Sequence, residues 1–552
     1  MKKISRRAFL NTLAAVGAAG ALAACGGSSS TAGSSTATST ASSGGAASAY
    51  ENVFNVPTSS KDISTKLDAV WVNRGGLQKV LVFRSVLIAT PDLSDVKPDL
   101  AESYTVSDDK LTYTFVMKDN LKWHDGEPLT AEDVKWSVEA ALKGSLLNGI
   151  YNTAFGRIEG CKEYKDGSAA EISGITVEGN TVTFKMAQQS ATFLKIMGQF
   201  AILPKHCLEG ADLLELQNDE FWQAPIGSGM YMLEEFNPGN YAIYKRFEDY
   251  EGQKPTFDEL RVVAVGDNIS AAKSGQVDYM STNNPDDVQQ LDQMPNMTKY
   301  PVNANYYRYL VCNLADEKGV KNEKIYDPRI RKALLMAIDR QAIIDSLFKG
   351  LGTVTDTGIP SSAPEYAPVE HYEYNPQEAK KLLDEAGFDY SQQIKLRYYA
   401  GDQASASMME AIAFAWGDLG IDVDVAKFQG GSSEELFNIR AYDFSLKAQS
   451  AFAYDEYYGE YVSTNTNFSK ILGKSTDFDA LVGELGSTED AAERKAIFKK
   501  LQALEQEKLF KMPLAVFGQN IYINTDKVDI GDTTFGNTMY NYDNNFANWK
   551  LK

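Results

Sequence analysis

An α/β fold built from more than one lobe is the architecture the sequence predicts, and three observations predict it. Leu111–Leu142 reads as a strand, a polar turn and a capped helix in succession. Ile394–Phe428 reads as strand, helix, strand, the order that builds a parallel sheet covered by helices. The chain of 552 residues is long enough for two or three lobes, each with its own core.

The first fifty residues stand apart from that body. Lys2, Lys3, Arg6 and Arg7 form a positive region ahead of Phe9–Ala24, an apolar segment rich in Ala and Gly. The segment is too short for a comfortable membrane span and has the form of an export signal. Gly26–Ser48 contains only Gly, Ser, Ala and Thr, a composition that cannot bury a core and behaves as a flexible tether. No later stretch is apolar enough to span.

Overall hydrophobic content, 43%, is ordinary for a globular protein. The formal charge is -20, and without the four cations of the leader 50 basic groups face 74 acidic ones, a net of -24. Such a surface argues against nucleic acid and against direct contact with anionic lipid. It mildly favours cationic solutes but does not choose a ligand. Of the four cysteines, Cys25 follows the leader. Cys161, Cys207 and Cys312 fit either one bridge, Cys161 with Cys207, or three buried free thiols.

Within the body, Leu111, Tyr113, Phe115 and Met117 alternate with polar neighbours, the period of a half-buried strand. Leu121 and Trp123 resume the alternation, and His124-Asp125-Gly126 with Pro128 ends it. Thr130 is an N-cap for a helix from Ala131, with Glu132 and Asp133 in the first turn and Val134, Val138, Ala141 and Leu142 on one apolar face. His124 beside Asp125 can be read as a general base with its orienter. No Gly-x-Ser-x-Gly nucleophile-elbow pattern or metal-spaced histidine pair accompanies it, so the turn reading is preferred.

Ile172–Met186 predicts a hairpin turning at Glu178-Gly179-Asn180. Gly227 and Gly229 flank Ser228 and permit close backbone approach; no Lys-Ser/Thr follows, which excludes a phosphate loop. Tyr306–Asn313 reads as a strand. Asp327 and Pro328 start a helix with Ile330, Leu334 and Ala337 facing inward; Asp339 caps the next, and Gly350 stops it. Asn375-Pro376-Gln377-Glu378 opens another helix, ended at Gly387. Strands Ile394–Tyr399 and Ile421–Phe428 flank a helix over Ser405–Leu419. A long helix covers Thr488–Leu509, Pro513 ends it, and Leu514–Asn524 is a strand.

Several of these segments carry a resemblance. Pro98–Phe115 (PDLAESYTVSDDKLTYTF), Leu121–Leu142 (LKWHDGEPLTAEDVKWSVEAAL) and Asp327–Gly350 (DPRIRKALLMAIDRQAIIDSLFKG) resemble the hallmarks of the family 5 extracellular solute-binding proteins. These are the oligopeptide, dipeptide and nickel receptors of ABC importers. Pro225–Tyr231 is similar to a further family segment, with Ser228 and Met230 where relatives carry Thr and Pro. Ala201–His206, Tyr241–Arg246, Asp249–Gly252 and Lys273–Asp278 fit the same family; His206 there reads as a loop residue rather than a metal ligand. Leu22-Ala23-Ala24-Cys25 resembles a bacterial lipobox, which implies lipidation of Cys25. Ser5–Leu10 resembles a twin-arginine signal; export by that route or by the general one both stay open.

The resemblance implies a periplasmic-binding-protein-like two-lobe α/β fold, of type II and the large class, with an extra subdomain in lobe I and two hinge strands. The implied layout is a signal peptide over 1–24, a lipid-anchored linker over 25–49 and lobe I over 50–91, continued at 224–304 and by a C-terminal return over 517–552. The extra subdomain takes 92–223 and lobe II takes 305–516. Ligand would sit between the lobes.

For that ligand the resemblance nominates Trp71, Asn73 and Arg74, which follow a leucine-aspartate opening in which Ala69 replaces the family's proline. Arg74 could clamp a carboxylate. Tyr306 and Tyr307 at the crossing strand join the set. In peptide-binding relatives a second-lobe aspartate holds the ligand's α-amine; the matching position here falls on Ala451, and the expected tryptophan near Ser450 or Gln449. An aromatic run stands there instead, Phe452, Tyr454, Tyr457, Tyr458 and Tyr461, and Asp455 or Asp443 would take the amine role.

The function implied is that of a lipid-anchored monomer at the outer face of the membrane. It would close its lobes on a short peptide and deliver it to a permease, with no cofactor, no resident metal and no covalent step. An oligosaccharide is the rival cargo, given the tyrosine run and the missing amine anchor. A nickel chelate ranks lower because His124, His206 and His371 are far apart in sequence. A surface sensor would use the same fold. A secreted hydrolase would need a nucleophile-base constellation that the sequence does not present.

Overall fold

Two long antiparallel strands, Met297–Cys312 and Lys511–Asn524, run side by side through the centre of the molecule. The computed structural model describes residues 52–58, 77–144, 149–451 and 453–552; Cys25, Trp71, Asn73, Arg74 and Phe452 lie outside the described residues. The first half of the pair, Met297–Val302 against Gln519–Asn524, is joined at its edge by Tyr279–Thr282. The second half, from Tyr306 against Phe517 onward, is extended by Phe444–Gln449, Ile394–Tyr398 and Val423–Lys427, the last two strands parallel to each other.

Between the halves the ladder breaks. Val302 pairs with Gln519 and Tyr306 with Phe517, so Asn303, Ala304 and Asn305 stand opposite Gly518 alone. Asn305 takes φ +46°, a left-handed conformation that Asn tolerates better than most residues. Gly518 is required: a Cβ there would lie 2.9 Å from the Val302 carbonyl oxygen. Both strands therefore cross between lobes at one irregular step.

Each side of the step has its own core. Val302, Ile521 and Ile523 pack with Phe54, Tyr231, Leu260 and Trp549. That core covers a sheet in the order Val53–Thr58, Glu259–Ala264, Tyr241–Arg246, Tyr231–Asn237. On the other side Tyr307, Tyr309–Cys312 and Met512 join Leu334, Ile394, Met409 and Trp416. Each fully buried side chain of this size contributes about 1.5–3 kcal/mol.

A third core belongs to the segment first read from the sequence. Tyr113, Phe115 and Met117 are buried on one face of the strand Thr112–Met117, which pairs with Ala101–Val106 and Thr181–Lys185. The hairpin turns at Gly179-Asn180, with Glu178 paired to Thr181 and Gly179 at φ +60°. The helix is Ala131–Lys143, and the Asp133 carboxylate reaches back to accept the Thr130 N–H at 2.8 Å. This core begins at Val86 and takes in Tyr540 and Tyr542, so it draws on chain beyond 92–223.

His124 fastens this subdomain to the rest of lobe I. Its Nδ1 accepts the Gly227 N–H at 3.0 Å and its Nε2–H donates to the Gly229 carbonyl at 3.1 Å. Burial pushes the imidazole down to about 4, so the neutral ring is the structural form. The two glycines serve packing: a Cβ on Gly227 would lie 2.1 Å from the Val82 oxygen and one on Gly229 2.2 Å from the Leu81 oxygen. The turn reading of His124 therefore stands with its reason.

Some local expectations need correction. Pro513 does not end the long helix, which spans Ala491–Lys508 and closes at Leu509 in a left-handed conformation, φ +45°. Pro513 lies inside the return strand, beside the register shift between Arg308 and Tyr309, where a missing N–H is tolerated. Of the two alternatives for the cysteines the free-thiol one holds, without a Cys161–Cys207 bridge, but Cys207 is exposed while Cys161 and Cys312 are buried. His206 sits on a short helix, Lys205–Leu208, and bonds Asp125 at 2.8 Å.

Candidate functional site

A cavity of about 730 Å³ opens at the irregular step between the lobes. The subdomain contributes Thr192 and Lys195, the crossing strand Asn303–Asn305, and the C-terminal return Asn537. Lobe II contributes Glu365, Ala451, Tyr454 and Asp455, with Arg494 and Phe498 from the long helix. None of the described lining residues is a histidine or cysteine. Asp125, His206 and Cys207, whose ligand atoms lie within 4.8 Å of one another, are exposed residues outside it.

The sequence-nominated residues divide into two groups. Tyr454 and Asp455 line the cavity. The Asp455 carboxylate is occupied: Arg494 Nη2 donates to it at 2.6 Å. Asp443 is elsewhere, buried among Lys324, Asn322 and the Lys395 N–H. Ser450 lies behind the wall. Its hydroxyl donates to the Ala304 carbonyl at 3.3 Å and accepts from Asn537 Nδ2 at 2.9 Å, which ties the broken step to lobe II and to the C-terminal return.

The tyrosines mostly face inward. Tyr307 is wholly buried and stacks on Tyr309 at 4.8 Å. Tyr306 is half-buried beside the Arg308 guanidinium, at 5.8 Å. Tyr457 is buried and donates its hydroxyl to the Asn305 carbonyl. Tyr458 and Tyr461 donate to Glu505 at 3.0 and 3.1 Å, and burial raises the Glu505 carboxyl. Beneath them Glu460 bridges Lys447 at 2.9 Å and Lys511 at 2.6 Å, and burial is overcome by these two cations, which hold its carboxyl down to about 2. Of the described tyrosines in the run, only Tyr454 lines the cavity.

Sequence reasoning missed Lys195, Glu365, Asn305 and Asn537. Glu365 had a signal available. It lies in 355–375, between the strand Gly352–Val354 and the helix Pro376–Glu385, a connection longer than packing alone requires. Lys195, in the short helix Phe193–Met197, had none.

Residues 95–469 match the family described as bacterial extracellular solute-binding proteins, family 5 middle region. The chain belongs to that family. Family 5 proteins are the binding components of ABC transporters, not enzymes, and act on the extracellular or periplasmic side. The oligopeptide-binding protein AppA of Bacillus subtilis is 25% identical over 484 residues, 82% of this chain and 82% of its own. The dipeptide-binding protein of Escherichia coli is 28% identical over 365 residues, 61% of this chain and 64% of its own.

Among solved structures, that of B. subtilis AppA with a nonapeptide matches at TM-score 0.73 and 20% identity, covering 91% of this chain and 100% of the other. NikZ of Campylobacter jejuni with Ni(L-His) matches at 0.71 and 21%, covering 90% and 99%. These likenesses establish the two-lobe family 5 fold. Among the described residues no helix is long and apolar enough to cross a membrane.

Proposed function

We propose that this family 5 protein captures short peptides in the cavity between its lobes and hands them to an ABC permease. The observation that carries the reading is the cavity itself: about 730 Å³, placed where both crossing strands break register. That volume lies within the ~300–1,000 Å³ of clefts that enclose small ligands, which suits a short peptide. Lobe closure about the step would bury the ligand, and binding would favour the closed form by its differential affinity.

The inward turn of the tyrosines weighs against an oligosaccharide. Tyr457, Tyr458 and Tyr461 have spent their hydroxyls on protein acceptors, which leaves few flat, hydroxyl-bearing faces for sugar rings among the described residues. Mass spectrometry of ligand released from the purified protein tests the choice. Short-peptide masses are expected; a sugar or metal-chelate mass would replace this reading.

The proposal includes a lipid on Cys25, the tether 26–48 and a location at the outer face of the membrane. A single acyl-bearing terminus and a flexible tether would keep the body near the permease while leaving it free to reorient. Cys25→Ala is expected to release the protein from the membrane fraction; retention there would sink the lipid anchor.

A further inference from the structure

The charges lining the cavity fall into two sets. Asp455 is joined to Arg494 at 2.6 Å. Glu489 accepts from Tyr113 at 3.1 Å and lies 3.6 Å from Lys110. Asp92 accepts from Thr90 and Ser94 at 2.7 and 2.8 Å. These groups are satisfied by the protein.

Lys195, Glu365 and Lys495 are not, and of these three Lys495 is exposed to solvent whereas Lys195 and Glu365 are half-buried. Among the described residues neither of the latter two side chains has a hydrogen bond or an ion pair, and Glu365 Oε2 is a buried oxygen with no partner. They come from opposite walls, Lys195 from the subdomain and Glu365 from the long loop of lobe II. Burial lowers the Lys195 ammonium, and the Asp455 carboxylate, followed by that of Glu365, only partly offsets this. Both residues are half-buried, and a charge partly withdrawn from water without a partner is costly, a cost that a ligand group of opposite sign removes.

We propose that Glu365 and Lys195 are the two charge anchors of a zwitterionic ligand, Glu365 receiving its ammonium and Lys195 its carboxylate. The assignment rests on the peptide reading above and sharpens it, since a short peptide with free termini carries these two charges. It also supplies the amine receptor that Ala451 cannot be and that Asp455, held by Arg494, is not. With one anchor on each lobe, the ligand itself becomes the bridge that holds the lobes together, which couples recognition of both termini to closure.

The test is competition binding, read by mass spectrometry. A tripeptide library with free termini competes against N-acetylated and C-amidated counterparts, on the full-length protein and its Glu365→Gln and Lys195→Met variants. For the unmodified protein, acetylation and amidation are each expected to weaken binding at least tenfold. In Glu365→Gln, acetylation should make no further difference; in Lys195→Met, amidation should make none. The ligand-side arms keep the test valid even if a variant fails to fold. Undiminished binding of the acetylated or amidated library, or an unchanged penalty in the variants, would overturn the anchors while leaving peptide capture intact. Binding of no tripeptide at all would overturn both.

Discussion

Arg494 donates to the Asp455 carboxylate at 2.6 Å, and both residues line the ligand cavity. The pair ties the long helix Ala491–Lys508 to the short helix Asp455–Gly459. Each side chain is about one-fifth exposed, 19% and 18%, so the pair sits between a surface ion pair and a buried one. Asp455→Ala is expected to destabilise the protein by roughly 1–2 kcal/mol, between the values for exposed and buried pairs. Its peptide affinity should stay within about threefold, since its carboxylate is spent on Arg494. Urea denaturation and calorimetry of the same preparation separate the two effects. A large affinity loss at unchanged stability would return Asp455 to the role of amine anchor.

A second expectation concerns acid. His124 is neutral in the folded protein, its carboxyl-side neighbour Asp125 notwithstanding, and its folded value of about 4 lies below the ordinary 6.5. The unfolded chain therefore takes up a proton first as pH falls. Stability from this group is fully present above about 6.5, is lost progressively between 6.5 and 4, and changes no further below. The loss is on the order of 3 kcal/mol. Because carboxylates titrate in the same window, the measurement is the difference in stability between wild type and His124→Asn as a function of pH. A difference that stays flat from pH 7 to 4 would show that His124 is not held neutral.

The loop that receives His124 has no room for a side chain at Gly227 or Gly229. Gly229→Ala would set a methyl 2.2 Å from the Leu81 oxygen, against backbone at the end of the helix Leu77–Val82. A loss of about 3 kcal/mol is expected, the upper part of the usual overpacking range. Gly210→Ala, where nothing lies within 4 Å, is the control and should change stability by less than about 0.5 kcal/mol. Equal melting temperatures for the two variants would mean the Gly229 contact can relax.

Much of the framework was legible because it is written locally. Tyr113, Phe115 and Met117 alternate, Asp327-Pro328 and Asn375-Pro376 cap their helices, and each became the element its pattern implies. Where two signals competed, the local one misled. Pro513 looks like a helix stop but sits at a strand irregularity that only the register with Arg308 and Tyr309 explains. The cavity was less legible still. Lys195, Asn305, Glu365 and Asn537 come from segments far apart in sequence, and what makes them notable is which charge lacks a partner. The tyrosine run illustrates the same point from the other side: a helical turn at Asp455–Gly459 directs Tyr457 and Tyr458 into the core, which an aromatic count cannot reveal.

If a short peptide occupies the cavity between the lobes, filling that cavity must abolish its binding. Ala453 is a half-buried residue of its wall. Calorimetric titration of wild type and Ala453→Trp with the peptides that co-purify is the measurement. Saturable one-to-one binding to wild type is expected, with at least a hundredfold loss in Ala453→Trp and a melting temperature within a few degrees of wild type. Equal affinity in the two proteins would place the ligand elsewhere and rule out the cavity as the peptide site.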